Sequence, residues 1–107
     1  MTPLTGPDRA IHNIKVVIEM AELQCLEVEH LMADPDANQH HLAHAGSMFL
    51  DMAQIALSFG MDGTVARKME DMSVVVTNIQ SSDDMWRDYR VAREQLAYVL
   101  APYKPQP

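Results

Sequence analysis

The stretch DPDANQHHLAHAGSMFLDMAQIALSFG, residues 34–60, decides how this chain folds. It opens on Asp34-Pro35-Asp36. Proline cannot continue a helical hydrogen-bond ladder, and an aspartate can cap the helix that follows. Leu42, Ala45, Phe49, Met52, Ala56 and Phe59 then recur in steps of three and four, the period of one helix face. Gly60 stands where a helix C-terminus calls for a left-handed residue. The stretch therefore predicts one helix from about Ala37 to Phe59, bounded by two sharp stops.

The same signals extend outward. Upstream, Pro7 and Asp8 suit a first turn, with Thr5 or Gly6 as cap. A seam of Ile11, Ile14, Ile18, Ala21, Cys25, Val28 and Met32 continues that helix to about Ala33. Downstream, Asp62, Gly63 and Thr64 open a third helix with seam Val65, Met69, Met72, Val76 and Ile79, although Val74-Val75-Val76 lowers its propensity. Ser81-Ser82-Asp83-Asp84 breaks the pattern and caps a fourth helix with seam Met85, Tyr89, Ala92, Leu96 and Val99. Pro102 ends it.

The expected fold is all-α: four amphipathic antiparallel helices in a small bundle, because short connections favour antiparallel neighbours. Residues 1–6 read as a flexible arm, 7–101 as a single helical domain and 102–107 as a disordered tail. At 1.5 Å per residue the first helix would reach ~40 Å and outrun the others. Part of it would lie bare in a monomer, so a homodimer is expected.

Composition narrows the function. The chain has 107 residues, 48% of them hydrophobic, and a net charge of −7. Residues 16–66 contain no Lys or Arg and carry Glu19, Glu22, Glu27, Glu29, Asp34, Asp36, Asp51 and Asp62. Such a surface repels phosphate, which argues against direct nucleic-acid binding and leaves solubility or attraction of basic proteins. An acidic DNA mimic is a further, weaker idea on the same charge. The one cysteine, Cys25, sits on the seam and should be buried and inert. The first residues lack the basic and apolar blocks of a signal peptide, and no apolar run approaches about 20 residues, so a cytoplasmic protein off the membrane is expected.

The helices carry more apolar surface than four short neighbours can use. Away from the first seam lie Val16, Met20 and Leu23; away from the second, Ala43, Leu50 and Leu57, flanked by Met48 and Ile55; and on the fourth helix, Val91 and Tyr98. A surface helix should be polar opposite its core stripe. Either these residues wrap into an ordinary core or they form an interface with a second copy or another protein. Nine methionines suit an adaptable binding surface, though such pairs more often fill cores. Trp86, beside the last seam, reads as half-buried core.

Catalytic signals are thin: no nucleophile elbow, phosphate loop or paired carboxylates in a seam. No enzyme and no cofactor is expected. The alternative is a metal-binding helical bundle or enzyme. Glu27-Val-Glu-His30 reads E-x-x-H, and His40, His41 and His44 follow the turn. By register Glu27, His30, His40 and His44 face solvent and only His41 flanks a seam. Arg87, Arg90 and Arg93 read as a solvated edge, with Asp83 to Arg87 and Arg90 to Glu94 as intrahelical pairs.

In size, acidity and Met-rich amphipathic helices such as SMFLDMAQIALSF (residues 47–59), the whole chain resembles the QslA-like quorum-sensing antiactivators. The resemblance implies a dimer that binds the ligand-binding domain of a LuxR-type transcription factor. It would cover that factor's dimerisation surface and so stop DNA binding.

Overall fold

Asn38 starts the central helix. Its side chain accepts the His41 backbone N–H at 3.1 Å, and His41 Nδ1 accepts the Asn38 N–H at 3.2 Å. This reciprocal capping box displaces the cap expected at Asp36. Asp36 instead donates its N–H to the Asp34 carboxylate at 2.8 Å within the turn. The computed structural model describes residues 6–104. Helix α1 spans Gly6–Ala33, α2 Gln39–Ser58, α3 Gly63–Thr77 and α4 Met85–Leu100, with 3-10 turns at Ile79–Ser81 and Ala101–Tyr103. No strand occurs among the described residues.

Each stop has a local cause. After Ser58 the N–H of Met61 bonds to the Ala56 carbonyl and that of Gly60 to Leu57, both at 3.0 Å. This Schellman pattern requires φ of +80° at Gly60, which glycine adopts without a Cβ clash. Asp62 accepts the Thr64 N–H at 2.8 Å and also its hydroxyl, opening α3. Asp84 accepts the Arg87 N–H at 3.1 Å and opens α4. The valine run stays helical because Val76 is fully buried and Val75 packs on the core.

Residues 102–104, expected in the tail, are ordered. Ala101–Tyr103 forms a turn, and the Tyr103 hydroxyl accepts the Asp62 N–H at 2.9 Å. Lys104 Nζ lies 2.8 Å from the Glu22 carboxylate. These two anchors hold the chain against α1 and the α2–α3 turn. Gly6, assigned to the arm, is already helical. The rest of the expected arm, residues 1–5, and the tail residues 105–107 lie outside the described residues.

Helix α2 packs between α1 and α3, most closely against α3. A Cβ at Gly46 would stand 2.5 Å from Thr77 Oγ1 and 3.0 Å from the Ser73 carbonyl oxygen, so glycine sets that approach. Helix α4 packs on α3 and meets α1 through side chains. One core runs through all four, with Phe49, Leu42, Met69, Met72 and Ile79 at its centre. The second and third seams are inside apart from Phe59, which is half-buried. The first seam is inside from Ile18 to Met32, and only its upstream end departs, with Ile14 half-buried. Val17 is fully buried, whereas Ile11 is 67% exposed. The reason is that α1 packs towards α2 and α4 at once, and Ile11 lies beyond the end of α4. The molecule measures 49 × 26 × 25 Å, its length set by α1.

Candidate functional site

The surplus apolar residues divide by exposure. Leu23 on α1 is 66% exposed and Tyr98 on α4 82%. Leu50 and Leu57 on α2, and Val91 on α4, are about half exposed, and Met48 somewhat less. Val16, Met20, Ala43 and Ile55 are only partly exposed, and Met20 and Ile55 pack on the core. Three further large apolar side chains at the surface, Ile11, Leu26 and Val74, escaped the sequence reading, whereas Trp86, at 40% exposed, is half-buried as expected. Val74 could have been found, because it falls off the α3 seam. Trp86 stands edge-on to Tyr89, ring centres 6.4 Å apart, with its outer face in water.

Val74 and Val91 come together. They face each other across a groove of about 570 Å³ between α3 and α4, floored by Val75, Ile79 and Ala92. Asp71 and Asp88 line the same groove. Asp88 accepts from the Ser82 hydroxyl, which ties the rim to the break between the helices. Asp71 lies 3.6 Å from Lys68. The groove thus has an apolar floor and a polar rim, in which Asn78, Ser82 and Gln95 join the two carboxylates. Leu50, Leu57 and Tyr98 do not line it.

The histidines sit elsewhere. His40, His41 and His44 line a cleft of about 480 Å³ between α1 and α2 with Glu27, Leu31 and Met48. His30 does not line it. All four histidines are exposed. His41 does not flank the core as its register suggested, because its ring is held at the α2 cap. Among the described residues no group of three or more His, Cys, Asp or Glu stands close enough to hold a metal ion.

One polar network is internal. The Tyr89 hydroxyl lies 2.7 Å from Glu29 Oε2 and 3.0 Å from the Cys25 carbonyl oxygen, and Arg93 pairs with the same carboxylate. This cross-helix pair draws Arg93 away from the solvated edge. The Asp83–Arg87 pair is replaced by Asp84 capping Arg87 and by an Arg87–Asp88 contact at 3.5 Å. Burial pushes the Cys25 thiol above its usual pKa, so it stays protonated and unreactive at neutral pH.

No family model, curated protein or solved structure matches the chain. Among the described residues no helix is long and apolar enough to cross a membrane.

Proposed function

We propose that this protein acts by binding another protein, and carries out no reaction of its own. The observation behind this reading is the α3–α4 groove, where Val74 and Val91 meet water over an apolar floor between two carboxylates. Apolar surface of that kind is usually a binding site, and the two carboxylates on its rim suit an amphipathic helix with basic flanks. The resemblance to antiactivators supplies a candidate: the ligand-binding domain of a LuxR-type transcription factor, sequestered in the cytoplasm so that it cannot dimerise on DNA. The chain's own charge keeps it off nucleic acid. Glu22 meets Lys104, Glu29 meets Arg93, and Gln39 meets Thr77, pairings that support an antiparallel up-and-down bundle. The overhang of α1 supports a homodimer. With no close ligand set among the described histidines, no metal chemistry is proposed.

The test is titration calorimetry against a LuxR-type ligand-binding domain from the same cell. Wild type should bind stoichiometrically. Val91→Glu should weaken binding at least tenfold while helicity by circular dichroism stays constant, since a charge would be buried unpaired. Binding unaffected by Val91→Glu and Val74→Glu would remove the groove from the reading. No binding by wild type would remove this class of partner.

A further inference from the structure

Helix α1 has 28 residues and α4 has 16, so at 1.5 Å per residue α1 outruns α4 by about 18 Å. The chain beyond α4 reaches α1 at the Lys104–Glu22 ion pair. Upstream of that point Ile18 is still buried in the chain's own core, whereas Ile11, Lys15 and Glu19 are exposed. A hollow of about 420 Å³ opens there over Ile11, Lys15 and Ile18, with Tyr103 at its edge. It shares Glu22 and Lys104 with a cleft of about 240 Å³ between α1 and α4, beside Leu26. The two form one groove along α1. Ile11, Lys15, Ile18, Glu22 and Leu26 follow it at steps of four, three, four and four, the spacing of a helix-packing seam. Ile11 and Leu26, at its two ends, are both more than half exposed.

This stripe is complementary to itself when reversed. Two copies laid antiparallel about a two-fold axis between residues 18 and 19 set Ile11 against Leu26 and Lys15 against Glu22, and do so twice. Laid parallel, Lys15 would meet Lys15 and Glu22 would meet Glu22, which repels at both places, whereas the antiparallel register brings like charges together only at the two Glu19 side chains beside the axis. A two-fold interface requires such self-matching of one patch. We propose that α1 pairs with α1 of a second copy, antiparallel, in the register that brings Lys15 of each copy to Glu22 of the other. Glu22 then lies between Lys104 of its own chain and Lys15 of its mate. The proposal deepens the homodimer reading and rests on it. It also leaves the α3–α4 groove free for a foreign partner.

Sedimentation equilibrium of the full chain tests it. Wild type should be a dimer, and Ile11→Glu and Leu26→Glu should be monomers of unchanged helicity. Lys15→Glu and Glu22→Lys should each raise the dissociation constant about tenfold or more. The triple variant K15E/E22K/K104E should regain the dimer, because the swapped charges again meet both across the axis and at the ion pair between residues 22 and 104. Within one chain residues 15 and 22 stand two turns apart and cannot rescue each other. Glu19→Cys, exposed and next to the axis, should be joined to its copy by a short bismaleimide, and Ser58→Cys on α2 should not. The cross-link reads the register even if the charge variants fold poorly. A monomeric wild type overturns the homodimer reading itself. A wild-type dimer that survives Ile11→Glu and Leu26→Glu, or lacks the Glu19→Cys cross-link, overturns the α1 surface and leaves the dimer standing. Failure of the triple variant to regain the dimer overturns the register.

Discussion

Tyr89 shows what a single residue contributes here. Its hydroxyl serves Glu29 and the Cys25 carbonyl oxygen from a buried position, so it ties α4 to α1. Burial first, and the Glu29 hydrogen bond second, raise its pKa well above the usual phenol range. A pKa higher in the folded than in the unfolded chain means that ionisation opposes folding. The stabilisation is complete below the unfolded value of about 10 and is lost as pH rises above it. Tyr89→Phe should therefore cost about 1–2 kcal/mol at neutral pH. It should also show a shallower loss of stability above pH ~10 than wild type. Urea titrations across that range would show it, and parallel pH curves for the two proteins would refute the assignment. The tyrosine was legible as a seam residue. Its partners were not, because Cys25 and Glu29 are 64 and 60 residues away in sequence and only packing brings them near.

At the scale of elements, caps and stops were the most legible features. Pro35, Gly60 and Asp62 each act through backbone chemistry within a few residues, so local sequence carries their effect. The capping box at Asn38 and His41 was the exception: Asp36 competes for the same role, and the hydrogen bonds choose Asn38. Gly46 is an element-scale feature of another kind. It lies inside α2, where glycine costs about 1 kcal/mol relative to alanine. Its reason is the close approach of α3, whose Ser73 carbonyl oxygen would sit 3.0 Å from a Cβ. Thr77 can turn its hydroxyl aside, but backbone cannot. Gly46→Ala should thus destabilise by about 1–2 kcal/mol in spite of better helix propensity. Thermal unfolding would measure it, and a higher melting temperature would show that α3 is not held so close.

For the whole molecule, a single core touches every helix, and no helix buries a core of its own. The chain should then unfold as one unit. Far-ultraviolet circular dichroism, which follows all the helices, and Trp86 fluorescence, which follows α4, should trace the same denaturant transition at low protein concentration. An earlier fluorescence transition would mean that α4 detaches on its own. The elongated shape also has a functional side. The reach of α1 past α4 bares Ile11, and the junction of α3 with α4 exposes Val74 and Val91 over a shared floor. The candidate site was half legible: Val91 was singled out by its place off the seam, while Val74 and the polar rim were not. Of the other residues singled out, Met20 and Ile55 pack on the core, because a helix that meets more than one neighbour buries a broader arc than its seam.

Periodicity, caps and breakers act over a few residues, so the sequence alone determined four helices, where they stop, and most of what the second and third of them bury. Tertiary structure decided the rest. It set the exposure of Ile11 at the upstream end of α1, the Gly46 contact, the Tyr89–Glu29–Arg93 network and the pairing of Val74 with Val91 in one groove. Each of these depends on how two helices meet, and a helical repeat says which face is apolar without saying which neighbour will cover it or how far along its length.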